Sequence, residues 1–431
     1  MKPVTVCENR KILCTDKQRK ELQAFENAYC AKLGKSRIFD WRNKEVWARN
    51  HVGVIQIPGL TLEILPKIDK SKPDADDQVK LLAQHNLLYM LFFTRKLPFE
   101  ERDLASLKLQ KMPLLEVLIR LFANHLLEEL RRGVDHAYVH REENLPRIKG
   151  KILMNRHLLM NAAHRERFYV GFDEFLDDTS LNRILKATSR RLITVSTDTE
   201  NQRLLMESTA IFDEVRDILP DLHHFDRIHL HRNNERFQAL LDFCRIVWQE
   251  QSPNPSAGDG RTFSLLFPME KLFEEFIARF IRRYAEDFGL KREYIRIQSV
   301  GSTRHLLREV ESQRKKFNLQ PDLLVGDGET TSLILDTKWK CLKSDDEDNK
   351  NGVPSADMYQ MYAYANRYDC KDVILLYPDV GDVTPKSYCL LGDEDKRIRV
   401  EVINLNRDLR KERDAFKGEM VRIIAHKVAS L

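Results

Sequence analysis

The ten residues Gln251-Ser-Pro-Asn-Pro-Ser-Ala-Gly-Asp-Gly260 interrupt this chain more sharply than any other stretch. Clustered proline, glycine and small polar residues cannot continue a helix and need not pack, so they separate two kinds of text. Upstream, from Val79 to Glu250, apolar residues recur at helical spacing. Leu81, Leu82, Leu87, Leu88 and Leu91 form one stripe, and Leu114, Leu115, Leu118, Ile119 and Phe122 another. Asp178-Thr179-Ser180 is an N-cap signal for a helix carrying Leu181, Ile184 and Leu185. Downstream the text interleaves helix (Met269 to Phe288), strand (Asp322 to Val325), turn (Gly326 to Gly328), strand (Ser332 to Lys340), an acidic loop (Asp345 to Gly352), helix (Ala356 to Arg367) and strand (Val373 to Tyr377), an α/β pattern. Before the helical stretch, Lys17 to Leu33 has helical periodicity. Val54 to Ile57, Pro58-Gly59 and Leu60 to Leu65 read as a hairpin. The expected architecture is therefore multidomain α+β: a β-containing N-terminal region (1–78), a mainly helical middle (79–250), a linker (251–263) and a C-terminal α/β domain (264–431).

Composition narrows the function. A length of 431 residues is too great for one ordinary compact domain, and 21 Phe, 12 Tyr and 4 Trp supply enough bulk for real cores. The balance of 71 basic against 66 acidic residues, +5 net, permits an anionic partner through local patches without demanding one. Seven scattered cysteines without a CxxC pair predict reduced thiols in a cytoplasmic protein. The longest apolar run, Leu87 to Phe93, falls far short of the ~20 residues a membrane span requires, so no membrane partner is expected. His223, His224, His229 and His231 lack the ligand spacing of a zinc site. Gly34-Lys35-Ser36 ends like a phosphate loop, but Tyr29 stands where its first glycine is required. The chain is not expected to bind GTP or ATP itself.

The residues that carry chemistry lie beyond the break. Asp322 opens one short strand and Asp336-Thr337-Lys338 ends the next, after the core-like Leu333-Ile334-Leu335. Side chains alternate along a strand, so Asp336 and Lys338 share a face while Thr337 points away. Two carboxylates and an ammonium converging on a rigid hairpin are equipment for phosphodiester hydrolysis. Hard oxygens hold Mg²⁺ against a phosphate while the lysine orients or deprotonates water and offsets developing charge. On the upstream helix, Leu272, Phe273, Phe276, Ile277, Phe280 and Ile281 form an apolar face. Glu274 falls at its border, placed to lean over the site, and Glu275 points nearly opposite, toward solvent. Gln360 and Tyr364, four apart, share one helix face. Arg314-Lys315-Lys316 either contacts phosphates or is a solvated basic loop.

Asp322, Asp336 and Lys338, the two aspartates fourteen positions apart, resemble the PD-(D/E)XK nuclease signature, and Gln360 with Tyr364 matches the QxxxY element that follows it in many such nucleases. The resemblance reaches further. Val52-Gly-Val-Ile55 with Leu62-Glu-Ile-Leu-Pro-Lys-Ile68, Asn86 to Leu91, Gly150-Lys-Ile152, Asp178 with Asn182 to Lys186, and Met269 to Phe276 together resemble the McrC family, the nuclease subunits of McrBC modification-dependent restriction systems.

That resemblance implies a PD-(D/E)XK endonuclease domain in which Asp322, Asp336 and Glu274 bind Mg²⁺, Lys338 serves the attacking water, and Gln360 and Tyr364 support the site or the DNA strand. It also implies an N-terminal region that binds and stimulates a hexameric McrB-like AAA+ GTPase. GTP would be bound by that partner, and modified double-stranded DNA, expected to contain methylcytosine, would be cut. Cys7-Glu8, Arg42 and Arg49 are polar candidates for the stimulating contact. Two alternatives stand beside this reading: an assembly and GTPase-activating subunit with a vestigial nuclease domain, and a stand-alone PD-(D/E)XK nuclease.

Overall fold

The computed structural model describes residues 3–34, 37–43, 45–68, 76–99, 112–249, 262–298, 304–327, 330–340, 342, 350, 352–379 and 384–425. Most of the expected linker and of the acidic loop at 345–352 lie outside the described residues. The chain forms two compact units, one of Met1–Lys111, Ser252–Asn254 and Leu265–Leu431, the other of Met112–Gln251 and Pro255–Ser264. Helices and strands are mixed in both, an α+β architecture.

The first unit begins with β1 (Val4–Cys7), β2 (Lys11–Ile12), α1 (Asp16–Leu33), β3 (Phe39–Arg42), β4 (Glu45–Ala48), β5 (His51–Ile57), β6 (Leu60–Leu65) and α2 (Asp77–Phe93). Thr15 and Gln18 form a capping box that starts α1, and Gly34, at φ 59°, ends it in the left-handed conformation. Strands β5 and β6 pair antiparallel with Ile57 opposite Leu60, so Pro58-Gly59 is the two-residue turn that the text predicts. Leu22, Phe25 and Tyr29 of α1 close over Ile55, Leu62 and Ile64.

The second unit contains α3 (Leu114–Arg131), β7 (Ala137–Leu145), β8 (Lys151–Ile152), α4 (Met154–Met160), β9 (Phe168–Leu176), α5 (Ser180–Val195), α6 (Thr199–Ile211), α7 (Leu222–Asp226) and α8 (Gln238–Gln249). Thr179 caps α5 through the Asn182 N–H, and Asp178 instead pairs with Arg183 at 2.6 Å. Helices dominate this segment, but β7 and β9 form a nine-residue antiparallel ladder that helical periodicity does not reveal. The side chains of β7 are mostly exposed, so no apolar alternation marks the strand.

The chain then returns to the first unit within β10 (Phe263–Pro268) and continues with α9 (Met269–Arg283), β11 (Ile295–Ile297), β12 (Arg304–Arg308), β13 (Lys315–Leu319), β14 (Leu323–Gly326), β15 (Thr331–Thr337), α10 (Ser355–Arg367), β16 (Asp372–Asp379), β17 (Lys386–Leu390), β18 (Asp393–Asn404) and α11 (Arg413–Ala425). Six strands make a mixed sheet in the order β11-β14-β15-β16-β18-β17. Strands β14 and β15 pair antiparallel, whereas β15, β16 and β18 run parallel. Helix α10 lies between the parallel neighbours β15 and β16 and supplies the crossover such a pair needs. Ile334, Val373, Leu375 and Tyr377 pack with Met361 and Tyr364 of α10 in one core.

The sequence keeps 1–78 and 264–431 as separate regions, but the fold joins them in one unit. Strand β10 extends the N-terminal sheet, in the order β1-β6-β5-β10. The side-chain amide of the buried Asn86 donates to Leu405 O and Arg407 O at 2.9 and 2.8 Å, and its oxygen accepts from Leu409 N at 3.1 Å. The Trp339 indole donates to Glu8 Oε2 at 2.7 Å. Glu8 is wholly buried, so of the polar candidates for a partner contact this one is spent inside the protein.

Both kinds of joint are open to test. Gly53 has φ +130°, and a Cβ there would sit 2.0 Å from Leu265 O on β10, so Gly53→Ala should cost at least about 2 kcal/mol and lower the melting temperature. Burial raises the Glu8 carboxyl from 4.5 to about 7, against the partly offsetting N–H groups of Trp339 and Lys67. The folded protein thus holds this proton more tightly than the unfolded chain. Its contribution is favourable below about pH 4.5 and is lost as pH rises through about 7, a change of roughly 3 kcal/mol. Glu8→Gln should flatten that slope in melts from pH 5 to 8 and melt above wild type at pH 8; parallel curves would refute the assignment.

Candidate functional site

The pairing of β14 with β15, Leu323 opposite Leu335, brings Asp322 to the carboxyl end of β15. There the Thr337 backbone N–H and hydroxyl both donate to Asp322 Oδ2, at 2.6 and 2.8 Å. Asp336 has the parity of Ile334, so it faces the core shared with α10 and is almost wholly buried. Lys338 has the same parity, and its Nζ lies 2.5 Å from Asp336 Oδ2. The ammonium also donates to Gln360 Oε1 at 3.0 Å, and Gln360 Nε2 donates to the Tyr364 hydroxyl at 2.8 Å. The backbone N–H of Lys338 is fixed on Leu376 O at 2.9 Å, so the lysine springs from the sheet itself.

The electrostatics of this corner are those of two carboxylates deprived of water. Burial pushes the Asp322 carboxyl well above the usual range; the charges of Asp336 and Glu274 add to the effect and the two Thr337 hydrogen bonds offset part of it. Burial also raises Asp336, opposed by Lys338 and reinforced by Glu274 and Asp357. For Lys338, burial favours the neutral amine, but Asp336, Asp322 and Asp357 outweigh it and the proton is held more tightly than usual. The Tyr364 phenol, buried against the same charges, is raised as well and stays protonated.

The six residues expected from the text are thus connected. Asp336, Lys338, Gln360 and Tyr364 form one chain of contacts, and Asp322 is tied to it through Thr337 and the charge of Asp336. Glu274 joins it electrostatically from α9, its Oε1 accepting from Gln298 Nε2 at 3.1 Å. Glu275 departs from expectation: it is not directed to solvent but pairs with Lys96 at 2.6 Å. Thr337 departs too, since its hydroxyl reaches the site. Gln298 and Asp357 carry no local signal. Gln298 touches Glu274 and also donates its backbone N–H to Asp322 O at 2.7 Å, while Asp357 binds Lys340 and the Tyr377 hydroxyl. Tyr359 and Tyr362 are exposed, unlike Tyr364, and Arg314, Lys315 and Lys316 lie exposed at and beside β13.

Among the described residues, no three His, Cys, Asp or Glu side chains are gathered closely enough to make a ready metal cluster. The expected set of three carboxylates is therefore not drawn together as one, because Glu274 is taken by Gln298 and Asp336 by Lys338. The pair Asp322 and Asp336 does fit a divalent cation chemically. It offers hard oxygens whose raised proton affinity a positive charge would relieve, and Mg²⁺ commonly takes only one or two protein carboxylates.

Comparison with known proteins places the chain in a family. Over 232 residues the chain is 23% identical to the Type IV methyl-directed restriction enzyme EcoKMcrBC of Escherichia coli (strain K12), a match spanning 50% of this chain and 63% of that protein. Its fold is similar to a chain in the refined half-complex from the tetradecameric assembly of Thermococcus gammatolerans McrB AAA+ hexamers with bound McrC. The TM-score is 0.73 at 22% identity, covering 98% of this chain and 100% of the other. A chain of the T. gammatolerans McrBC complex gives a TM-score of 0.54 at 26% identity, covering 65% and 88%. The family model for the McrBC 5-methylcytosine restriction system component matches residues 46–378, a stretch that includes Glu274, Asp322, Asp336, Lys338, Gln360 and Tyr364. This chain therefore belongs to the McrBC restriction-component family.

Proposed function

We propose that this chain is the Mg²⁺-dependent DNA endonuclease subunit of a McrBC-like restriction complex in the cytoplasm, with its catalytic centre in a PD-(D/E)XK domain. The observation that carries the reading is the meeting of Asp322, Asp336 and Lys338 at the carboxyl end of β15, with Gln360 and Tyr364 behind the lysine. Its partner would be a McrB-like AAA+ GTPase hexamer, which this chain binds and stimulates, and its substrate double-stranded DNA carrying a modified base such as methylcytosine. Support for the partner comes from the fold shared with a chain solved among McrB AAA+ hexamers.

Asp322 and Asp336 would hold Mg²⁺, and Glu274, engaged by Gln298, would add its negative charge beside them. When bound, the ion would supply Lewis-acid polarisation of the scissile phosphate and charge neutralisation. Thr337 fixes the orientation of Asp322 through two hydrogen bonds. Lys338, charged and pinned between Asp336 and Gln360, orients the attacking water and donates toward charge developing on the phosphate. Gln360 is a positioning residue, since its carbonyl holds the ammonium and its amide rests on Tyr364.

The test is cleavage of methylated and unmethylated plasmid with the AAA+ partner, Mg²⁺ and GTP. Asp336→Ala and Lys338→Ala should each lose cleavage by 100-fold or more while still stimulating the partner's GTPase; a variant cutting at the wild-type rate would sink the site assignment. Wild type that stimulates GTPase but never cuts would favour the assembly-subunit reading, and modification-independent cutting without a partner the stand-alone nuclease. For Gln360→Ala the expected loss is roughly 10- to 100-fold, with partner binding intact, by analogy with the supporting shell of a catalytic ligand.

A further inference from the structure

Beside the carboxylate corner, and within the same unit, lies a cleft of about 1160 Å³ lined by Arg95, Arg279, Arg282, Arg283, Arg292 and Arg296. Six guanidinium groups face two carboxylates, Glu275 and Glu293, and Glu275 is already paired with Lys96 at 2.6 Å. Arg279 approaches Glu275 only at 3.8 Å. Arg283 lies over the ring of Phe93 at 5.2 Å and that of Tyr284 at 5.8 Å. Among the described residues, Arg95, Arg282, Arg292 and Arg296 make no side-chain ion pair, and the first three are exposed. Concentrating like charges without counter-charges destabilises a protein by self-repulsion, so the arrangement calls for an anion from outside.

We propose that this cleft binds the phosphate backbone of DNA and leads it to Asp322 and Asp336. The proposal rests on the nuclease reading for its destination, though not for the binding itself. Planar, multidentate guanidinium groups match phosphate oxygens, and a row of them matches a polymer of phosphates better than a single carboxylate. The volume exceeds that of ordinary small-ligand pockets, which argues for a segment of a polymer. Continuity is the stronger argument. Gln298 lines the cleft, donates its amide to Glu274 and its backbone N–H to the carbonyl of Asp322, so the cleft meets the carboxylate corner at a single residue. Arg279, Arg282 and Arg283 project from the polar face of α9, the helix that also carries Glu274, so one rigid element sets the spacing between backbone grip and site.

The test is fluorescence anisotropy of a labelled duplex of about 20 base pairs with the full chain, from about 50 to 200 mM salt, the range over which phosphate neutralisation is most visible. The triple variant Arg282→Gln/Arg292→Gln/Arg296→Gln should weaken binding 10-fold or more and reduce the slope of log affinity against log salt by about 2 to 3, near 0.9 for each phosphate that the variant leaves without its arginine. A charge-matched control, Lys17→Gln/Lys20→Gln/Arg165→Gln, should keep the wild-type slope. Unchanged affinity and slope in the cleft variant would overturn the proposal, as would a wild type that does not bind duplex at about 50 mM salt. If the cleft variant also failed to assemble with the AAA+ partner while binding DNA normally, an acidic protein surface would be the occupant and the proposal would fall. The nuclease reading is judged separately, because the binding assay needs no cleavage. Loss of binding in the cleft variant, together with a wild type that never cuts, would uphold the cleft and sink the nuclease.

Discussion

Two aspartates forced together out of water are the constraint around which the C-terminal part of this molecule is arranged. Burial raises the proton affinity of both Asp322 and Asp336, and the charge of Asp336 raises that of Asp322 further. Such a pair persists only where the surroundings over-determine it. The ladder between β14 and β15 sets the distance, and β16 on the other side of β15 holds the Lys338 backbone. Thr337 supplies two donors to one carboxylate and Lys338 one ammonium to the other. A sheet with helices packed on it can bear such a load where a loop could not, because shifting any one group would require shifting a strand.

The same strand ties the site to the N-terminal region. Trp339 follows Lys338 directly, and its indole ends on the buried Glu8 of the segment that follows β1. Asn86 of α2 makes three hydrogen bonds to the stretch between β18 and α11, and Met269 N donates to Asn50 O where α9 begins. A region expected to engage a partner is therefore continuous, through buried polar contacts, with the helix and strand that carry Glu274 and Lys338. Buried polar networks of this kind fix relative position more strictly than apolar packing, since each member left without its partner is costly. A disturbance at the N-terminal sheet thus has a short physical route to the strand that carries Asp336.

What could be read in the text was what depends on near neighbours. The Pro58-Gly59 hairpin, the shared face of Asp336 and Lys338, and the four-residue step from Gln360 to Tyr364 all follow from the period of one element. What could not be read depends on residues far away in sequence. Helical angle alone directs Glu275 to solvent, and only the arrival of Lys96 explains its pairing. Glu8 reads as a surface acid until Trp339 buries it. Gln298 is an exposed polar residue at φ +52°, and nothing local ties it to Glu274 and Asp322. Strand β18 opens on Asp393-Glu-Asp-Lys-Arg397, text with no strand alternation, and is held in place by β16 and β17. In each case tertiary partners, absent from any short window, decided the outcome.

The carboxylate corner and the arginine cleft answer one another electrostatically. Under the proposed reading, an acidic site would have to receive a phosphodiester chain, which without help it would repel. The attraction would have to be supplied nearby yet kept off the carboxylates, or the arginines would neutralise them. Helix α9 satisfies both requirements by carrying Glu274 toward Gln298 and the site, and Arg279, Arg282 and Arg283 into the cleft. A net charge of +5 over 431 residues conceals this arrangement, since charges elsewhere nearly cancel. It is the segregation of charge over two adjacent patches, more than its sum, that would let an acidic centre receive an acidic polymer.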